Sequence, residues 1–496
     1  VTPTAASASN AYVVNEDGSV TPFDTASNTS GPAIGVGDLP DGIAITPDGS
    51  TAYVTNAADG NVMPIDTATN IARPPIGVGR NPAGIAITPD GSIAYVVNNE
   101  DGTVTPIDTA TNTAGPAIEV GFQPDRIAIT PDGSTAYVTN YDDGTVTPID
   151  TATNTAGAAI EIGDYGAGPT GIAITPDGST AYIANTGLES IADPDNVIPI
   201  DTATNKAGPA IAVGMGPVAV AITPDGSTAY VVNNEDDTVT PINTATNTTR
   251  PAIGVGDGPT GIAITPDGRT AYVPTPGSDP YAPLNLMTPI DIATNSAGSA
   301  IEIGDTPTFI AISGCTVTGT AAKDKLYGTG ADDAICGLGG RDTIGGGGGD
   351  DSVYGGDGTD VLFGGRGDDE IQGGDGDDNL HPGQGVNAVT GGGAVDTLGY
   401  GDLSRRTGGV RVFGSEGEGV TSGAVSDIFS GIENAAGTLS ADVLNLTWSG
   451  EPSVVRGRDG RDALSTADGD SLDAMHGGVG RDTCDNSDRA DAAIKC

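Results

Sequence analysis

The apolar and polar positions of the first 313 residues repeat as a cycle of short alternating runs. One run, Ile-Ala-Ile-Thr, stops at Pro-Asp-Gly, where the proline presets φ and the glycine accepts a positive φ. A second run, Ala-Tyr-Val-(Val/Thr)-Asn, carries its tyrosine at Tyr12, Tyr53, Tyr95, Tyr137, Tyr182, Tyr230 and Tyr272, with drift in the fifth and seventh copies. A third, Val-Thr-Pro-Ile, leads through Asp-Thr-Ala-Thr-Asn to a fourth, Ala-Ile-x-Val-Gly. Four short strands in about 42 residues is the blade period of a β-propeller. The first unit begins at its second strand, Ala11 to Asn15, and an orphan first strand, Pro307 to Ser313, follows the seventh unit. Pairing the two would remove both open sheet edges. The pattern therefore predicts an all-β chain whose residues 1–313 form a seven-bladed propeller closed by a C-terminal strand.

From Gly319 the period becomes nine and holds to Gly399. Its sixth position is Asp324, Asp333, Asp342, Asp351, Asp360, Asp369 and Asp378, then Asn387 and Asp396. Its eighth is apolar throughout, from Leu326 to Leu398. The strict copies, 346–354, 355–363, 364–372 and 373–381, open on Gly346, Gly355, Gly364 and Gly373. Nine in-register copies with an apolar eighth position argue against a disordered Gly/Asp linker. Each nonapeptide reads as half a turn of a parallel β-roll, so aspartates eighteen positions apart stack: Asp324/Asp342, Asp333/Asp351, Asp342/Asp360, Asp351/Asp369 and Asp360/Asp378. Carboxylates and inward carbonyls at this spacing suit Ca2+, which takes six to eight oxygens at about 2.3–2.6 Å. Pro382 and Asn387 are expected to weaken the end of the stack. A degenerate solenoid is expected over 401–496, with 457–465 and 477–484 its clearest late copies and Trp448 as a core or edge plug.

The repeated Tyr-Val-Thr-Asn and Thr-Pro-Asp-Gly segments of residues 8–313 resemble the YVTN family of propeller repeats of surface-layer and secreted proteins. That resemblance implies a cell-surface or extracellular setting and no particular reaction. The nonapeptides of 319–399 resemble the RTX calcium-binding repeats, which implies secretion and folding on meeting millimolar Ca2+.

Charge narrows the partners. The chain holds 19 basic and 66 acidic residues, a net of −47. It lacks the basic stripe a phosphate-tracking nucleic-acid binder needs, and an anionic membrane would repel it. No apolar run is long enough to span a bilayer. The sequence opens at Val1 without a basic-apolar leader, so any signal peptide is expected to have been removed or left out. Self-repulsion on this scale makes a divalent cation an early suspect.

Four cysteines, Cys315, Cys336, Cys484 and Cys496, allow three pairings; Cys315–Cys336 and Cys484–Cys496 would clamp the two ends of the solenoid. Two disulfides would fit an oxidising compartment. The two histidines, His381 and His476, lie at outward or turn positions of the solenoid and read as solvent exposed. Asn28, Asn247 and Asn445 open Asn-x-Ser/Thr triplets.

The propeller has no His and no Cys, which removes His-based acid–base chemistry and His-ligated zinc. Arg80, Arg126, Asp38, Asp125, Asp164, Tyr165, Asp257 and Asp305 are the residues placed to serve a site at the channel mouth. The aspartates also read as turn formers. No set of unique converging residues is visible, so the propeller reads as a scaffold. The insertions 186–196 and 274–287, the latter with Tyr281 and Leu284, are the candidate partner contacts. Three functions remain: a non-enzymatic, calcium-stabilised surface protein that self-associates or adheres to a cell surface or matrix; a secreted propeller hydrolase or lyase with the RTX-like part as secretion and folding module; and a glycan- or protein-binding propeller.

Overall fold

In the computed structural model the described residues are 10–400, apart from 26, 48, 68, 163–167, 188–194, 278–284, 305, 316, 320–321, 331–332 and 394, together with the backbone of the strands beyond 400. Asp164, Tyr165, Tyr281, Leu284, Asp305, Trp448 and Cys496 lie outside them, as do the side chains of Asn445, His476 and Cys484. The chain divides into two units, with the boundary between Gly314 and Cys315.

The first unit is a ring of seven antiparallel sheets, each built outward from an inner strand. In the third sheet Pro82–Ile87, Ile93–Asn98 and Thr103–Asp108 run side by side in register, Tyr95 opposite Pro106. The fourth strand of each blade differs from the expected single run. It is two short segments, Thr113–Ala114 and Ile118–Glu119 in this blade, both paired to the third strand. Between them the Gly115 amide bonds the Pro106 carbonyl at 2.7 Å, and Pro116 has no N–H to donate, so the ladder breaks there. Ring closure follows the pattern of the ends: Pro307–Ile312 pairs antiparallel with Asn10–Asn15, Ala11 opposite Ile312 and Val13 opposite Ile310.

The second strand of each blade is packed on both faces by its neighbours, which is why it reads as a continuous apolar run. Ala94, Tyr95, Val96 and Val97 are all fully buried, and Tyr95, Val97 and Val104 share one cluster with Ile127, Ala136 and Val138 of the next blade. Each tyrosine also reaches the following blade through its hydroxyl. Tyr12 donates to Asn70 Oδ1 at 2.6 Å, Tyr53 to Asn112 at 2.8 Å and Tyr95 to Asn154 at 2.6 Å. Tyr137, Tyr182 and Tyr230 repeat the bond to Asn205, Asn247 and Asn295, and Tyr272 closes the circle on Asn28 at 2.7 Å. The accepting asparagines are left-handed, φ 52–54°, a conformation Asn tolerates. The two sequence markers of the repeat are thus the two halves of one inter-blade bond.

The second unit is a parallel β-solenoid. Its two sheets alternate along the sequence, and through residue 399 each rung lies eighteen residues from the next on its side. Ser352–Gly358 stacks on Glu370–Asp375 with Val353 opposite Ile371, and Val361–Arg366 on Asn379–Gln384 with Leu362 opposite Leu380. Ile335, Ile344, Val353, Leu362, Ile371, Leu380, Val389 and Leu398 form its buried axis. Beyond 400 the backbone continues in the same two sheets after an antiparallel hairpin, Val410–Ser415 with Glu418–Gly423. The late rungs are spaced wider: Val443 lies opposite Ala463 and Ala463 opposite Thr483. Cys315 and Cys336 are joined, with their Cα atoms 5.9 Å apart. The closed loop contributes about 3 kcal/mol in a chain-entropy account.

Candidate functional site

Two places carry chemistry, one in each unit. In the solenoid, every predicted aspartate pair is joined by the same bond. The Asp324 amide donates to Asp342 Oδ1 at 2.7 Å, Asp333 to Asp351 at 2.9 Å, and Asp342 to Asp360 at 2.7 Å. The series continues with Asp351 on Asp369 at 3.0 Å and Asp360 on Asp378 at 2.8 Å. Asn387 does not weaken it: its Oδ1 accepts the Asp369 amide at 2.8 Å, and Asp378 bonds Asp396 beyond it. An amide oxygen replaces a carboxylate oxygen in that bond without loss of geometry.

The other carboxylate oxygen is left over. Oδ2 of Asp342, Asp360 and Asp369 is buried and accepts no hydrogen bond from protein. A charged oxygen in that position is costly without a cation or a proton. Burial is the first cause that raises the Asp342 carboxyl, pushes Asp360 up to about 6 and Asp369 up to about 7; neighbouring aspartates add to it. Each Oδ2 faces a cradle that has no room for a side chain. A Cβ on Gly355 would lie 2.8 Å from Asp360 Oδ2 and against the Gly373 carbonyl; one on Gly373 would lie 2.5 Å from both Asp378 Oδ2 and the Gly391 carbonyl. On Gly346 it would meet Asp351 Oδ2 and the Gly364 carbonyl, and on Gly364 it would meet Asp369 Oδ2 and the Pro382 carbonyl. The residues therefore fit a hard cation: carboxylate and carbonyl oxygens converge with no competing N–H donor to the Oδ2 atoms of Asp342, Asp360 and Asp369.

His381 is not the freely exposed residue that its position implied. Its ring stacks on Phe363 at 4.7 Å between centroids, and Nδ1 lies 3.2 Å from the Gly399 carbonyl.

In the propeller, a cavity of about 550 Å³ opens at the end where chains enter the inner strands. The seven inner strands open on, or in the Ala263–Ile264 case are led into by, Pro40-Asp41-Gly42, Pro82-Ala83-Gly84, Pro124-Asp125-Arg126, Pro169-Thr170-Gly171, Pro217-Val218-Ala219, Pro259-Thr260-Gly261 and Pro307-Thr308-Phe309. Five of the seven third positions are Gly or Ala because adjacent strands crowd there: a Cβ on Gly42 would lie 2.5 Å from the Ala83 carbonyl. The two exceptions meet. The Arg126 guanidinium sits 4.2 Å from the Phe309 ring centroid, and those residues come from strands three blades apart. Arg126 Nη2 also donates to Asp41 Oδ1 at 3.0 Å, and Nη1 lies 3.4 Å from Asp125 Oδ1. Burial raises the Asp125 carboxyl against the pull of Arg126; burial works to lower Arg126, but Asp125 and Asp41 outweigh it and hold it above its ordinary value.

The sequence pattern showed no unique convergence; the structure brings these four residues together. Arg126 and Asp125 were among the candidates, whereas Asp41 and Phe309 were missed. The signal was present: the position after Pro-x is small in five repeats and large in two. Among the described candidates, Asp38 and Arg80 are held elsewhere. They bond Asp59 and Asp101 within the mouth loops, at 3.0 and 2.8 Å from their amides.

Residues 66–283 match the family model described as lactonase, 7-bladed beta-propeller, and residues 318–389 match that of the RTX calcium-binding nonapeptide repeat. No curated protein matches the chain. Among solved structures, a functionally unknown protein from Desulfotomaculum acetoxidans shares 20% identity over 62% of this chain and 99% of its own, with a TM-score of 0.53, which supports the fold. Kuenenia stuttgartiensis hydrazine synthase shares 25% identity over 54% of this chain and 88% of its own, at 0.49. A dihydro-heme d1 dehydrogenase, NirN, in complex with DHE shares 16% over 62% and 75%, at 0.45. The chain thus combines a seven-bladed propeller with calcium-binding repeats of the RTX type.

Proposed function

We propose that this is a non-enzymatic extracellular structural protein, stabilised by Ca2+ and assembling with itself or with a cell-surface matrix. The column of buried Oδ2 atoms at Asp342, Asp360 and Asp369 carries the reading. Asp324, Asp333, Asp342, Asp351, Asp360, Asp369 and Asp378 would hold the ions, with carbonyls of the Gly346, Gly355, Gly364 and Gly373 positions completing the shell. Bound Ca2+ supplies the positive charge that a chain of net −47 lacks. Such sites fill at the millimolar concentrations found outside cells. The YVTN-like repeats and the Cys315–Cys336 disulfide are consistent with that setting. A contact between unlike faces of successive copies would build a sheet or filament. The test is electron microscopy and sizing of the full chain in millimolar Ca2+ and after a chelator. Ordered assemblies that dissolve on chelation support the proposal; monomers in both conditions overturn it.

A second reading, lactone hydrolysis at the channel mouth, is favoured by the lactonase family match and by the Asp41–Arg126–Asp125 cluster. Turnover of any member of a lactone panel, abolished by Asp125→Asn, would establish it.

A further inference from the structure

We propose that the channel mouth of the propeller binds an organic ammonium group. The observations are independent of the calcium array. Arg126 and Phe309, from strands three blades apart, meet across the channel and form a floor, and the cavity rises above it to the loop residues Glu16 and Leu39. Charge on that surface is unbalanced: Glu16, Asp41 and Asp125 face one cation, Arg126, which is already engaged by Asp41 and Asp125.

Hydrogen-bonding capacity is unbalanced in the same sense. The Thr170 hydroxyl donates its proton to the Pro217 carbonyl at 2.9 Å, Thr260 to the Thr308 carbonyl at 2.6 Å, and the Asn234 amide to the Pro259 carbonyl at 2.8 Å. With those protons committed to the backbone, these lining groups retain oxygen lone pairs and turn no further hydroxyl proton to a ligand. The cup is therefore rich in acceptors and negative, with these hydroxyl protons committed to the backbone. An ammonium, with three N–H donors and a positive charge, is the complement; a carboxylate or phosphate is repelled.

The rim adds a second signal. The residue before each inner-strand proline is left-handed in all described blades: Asn81, Gly168, Gly216 and Gly258 at φ 52–68°, but also Leu39 at 52°, Gln123 at 45° and Thr306 at 51°. A leucine held there, 61% exposed, accepts backbone strain that glycine would avoid. Leu39 and Pro40 line the cavity and offer an apolar wall to the hydrocarbon of an amine.

The experiment is a ligand-observed NMR titration of the full chain in millimolar Ca2+ near pH 6.5. Glucosamine and butylamine are compared with their neutral counterparts N-acetylglucosamine and butanol. Saturable one-site binding of the amines alone is expected. Glu16→Gln, an exposed change that leaves the fold intact, and Asp41→Asn should each weaken it about tenfold, the worth of one nearby charge. Loss with glucosamine only would assign the sugar frame, and loss with both would assign the ammonium. Equal binding of neutral analogues, no binding, or amine binding unchanged in both variants, as a diffuse acidic surface would produce, overturns the proposal.

Discussion

Removing Ca2+ should invert the pH dependence of the solenoid. In the ion-free fold, burial holds Asp360 at about 6 and Asp369 at about 7, whereas an unfolded aspartate titrates near 3.9. Between those values the folded chain binds more protons than the unfolded one, so its stability falls as pH rises. The loss is absent below about pH 4, grows through pH 6 and is complete just above pH 7. At 1.36 kcal/mol per pKa unit it amounts to ~3 kcal/mol for Asp360 and ~4 kcal/mol for Asp369. Bound Ca2+ reverses the sign, because it needs the ionised carboxylates that the bare fold disfavours. The calcium form should then lose its ions as pH drops from 7 towards 5. Denaturant melts of the full chain by circular dichroism, at intervals from pH 4 to 8, with Ca2+ and with a chelator, would read both slopes. Asp369→Asn should flatten the chelated profile by roughly half and lower calcium affinity at pH 7.5. A chelated stability that is flat or rises with pH, or a slope that Asp369→Asn leaves unchanged, would refute the reasoning.

Two further outcomes follow from the geometry. Tyr272→Phe removes the bond to Asn28 that spans the ring closure and should cost about 1 kcal/mol, the same as Tyr95→Phe on Asn154. Native-state hydrogen exchange should then rise first in 10–15 and 307–312 for the former alone; equal exchange in both variants would show that the bond is not local to the closure. Gly355→Ala places a methyl group against the Gly373 carbonyl and Asp360 Oδ2 and should destabilise by about 1–3 kcal/mol while displacing calcium. Gly348→Ala, where the nearest atom to a Cβ lies 3.8 Å away, is the matched control and should bind calcium normally in a direct titration.

The repeats made the architecture legible because each carries its own constraint: a turn glycine, a two-face buried strand and an apolar eighth position. The ends were legible because Pro307 to Ile312 has a partner strand only at Ala11 to Asn15. What repetition hid was its own exceptions. Asp41 and Phe309 lie some 270 positions apart in sequence, and only closure of the ring brings them around one arginine. The partner of the Tyr hydroxyl was hidden for a related reason: it belongs to the following blade, so both halves were visible without their bond. In the solenoid the 18-residue pairing was readable, whereas the division of labour between Oδ1 and Oδ2 follows from the backbone path and has no sequence signature.

Ring closure also imposes an order in time. The first strand, Asn10–Asn15, has no inner neighbour until Pro307–Ile312 is available, so one blade stays an open sheet edge through nearly the whole synthesis of the unit. Contacts of that sequence separation form slowly. A chain that emerges from its N-terminus first carries its most exposed edge longest, and anything that stalls it before residue 312 leaves that edge free to pair with another copy.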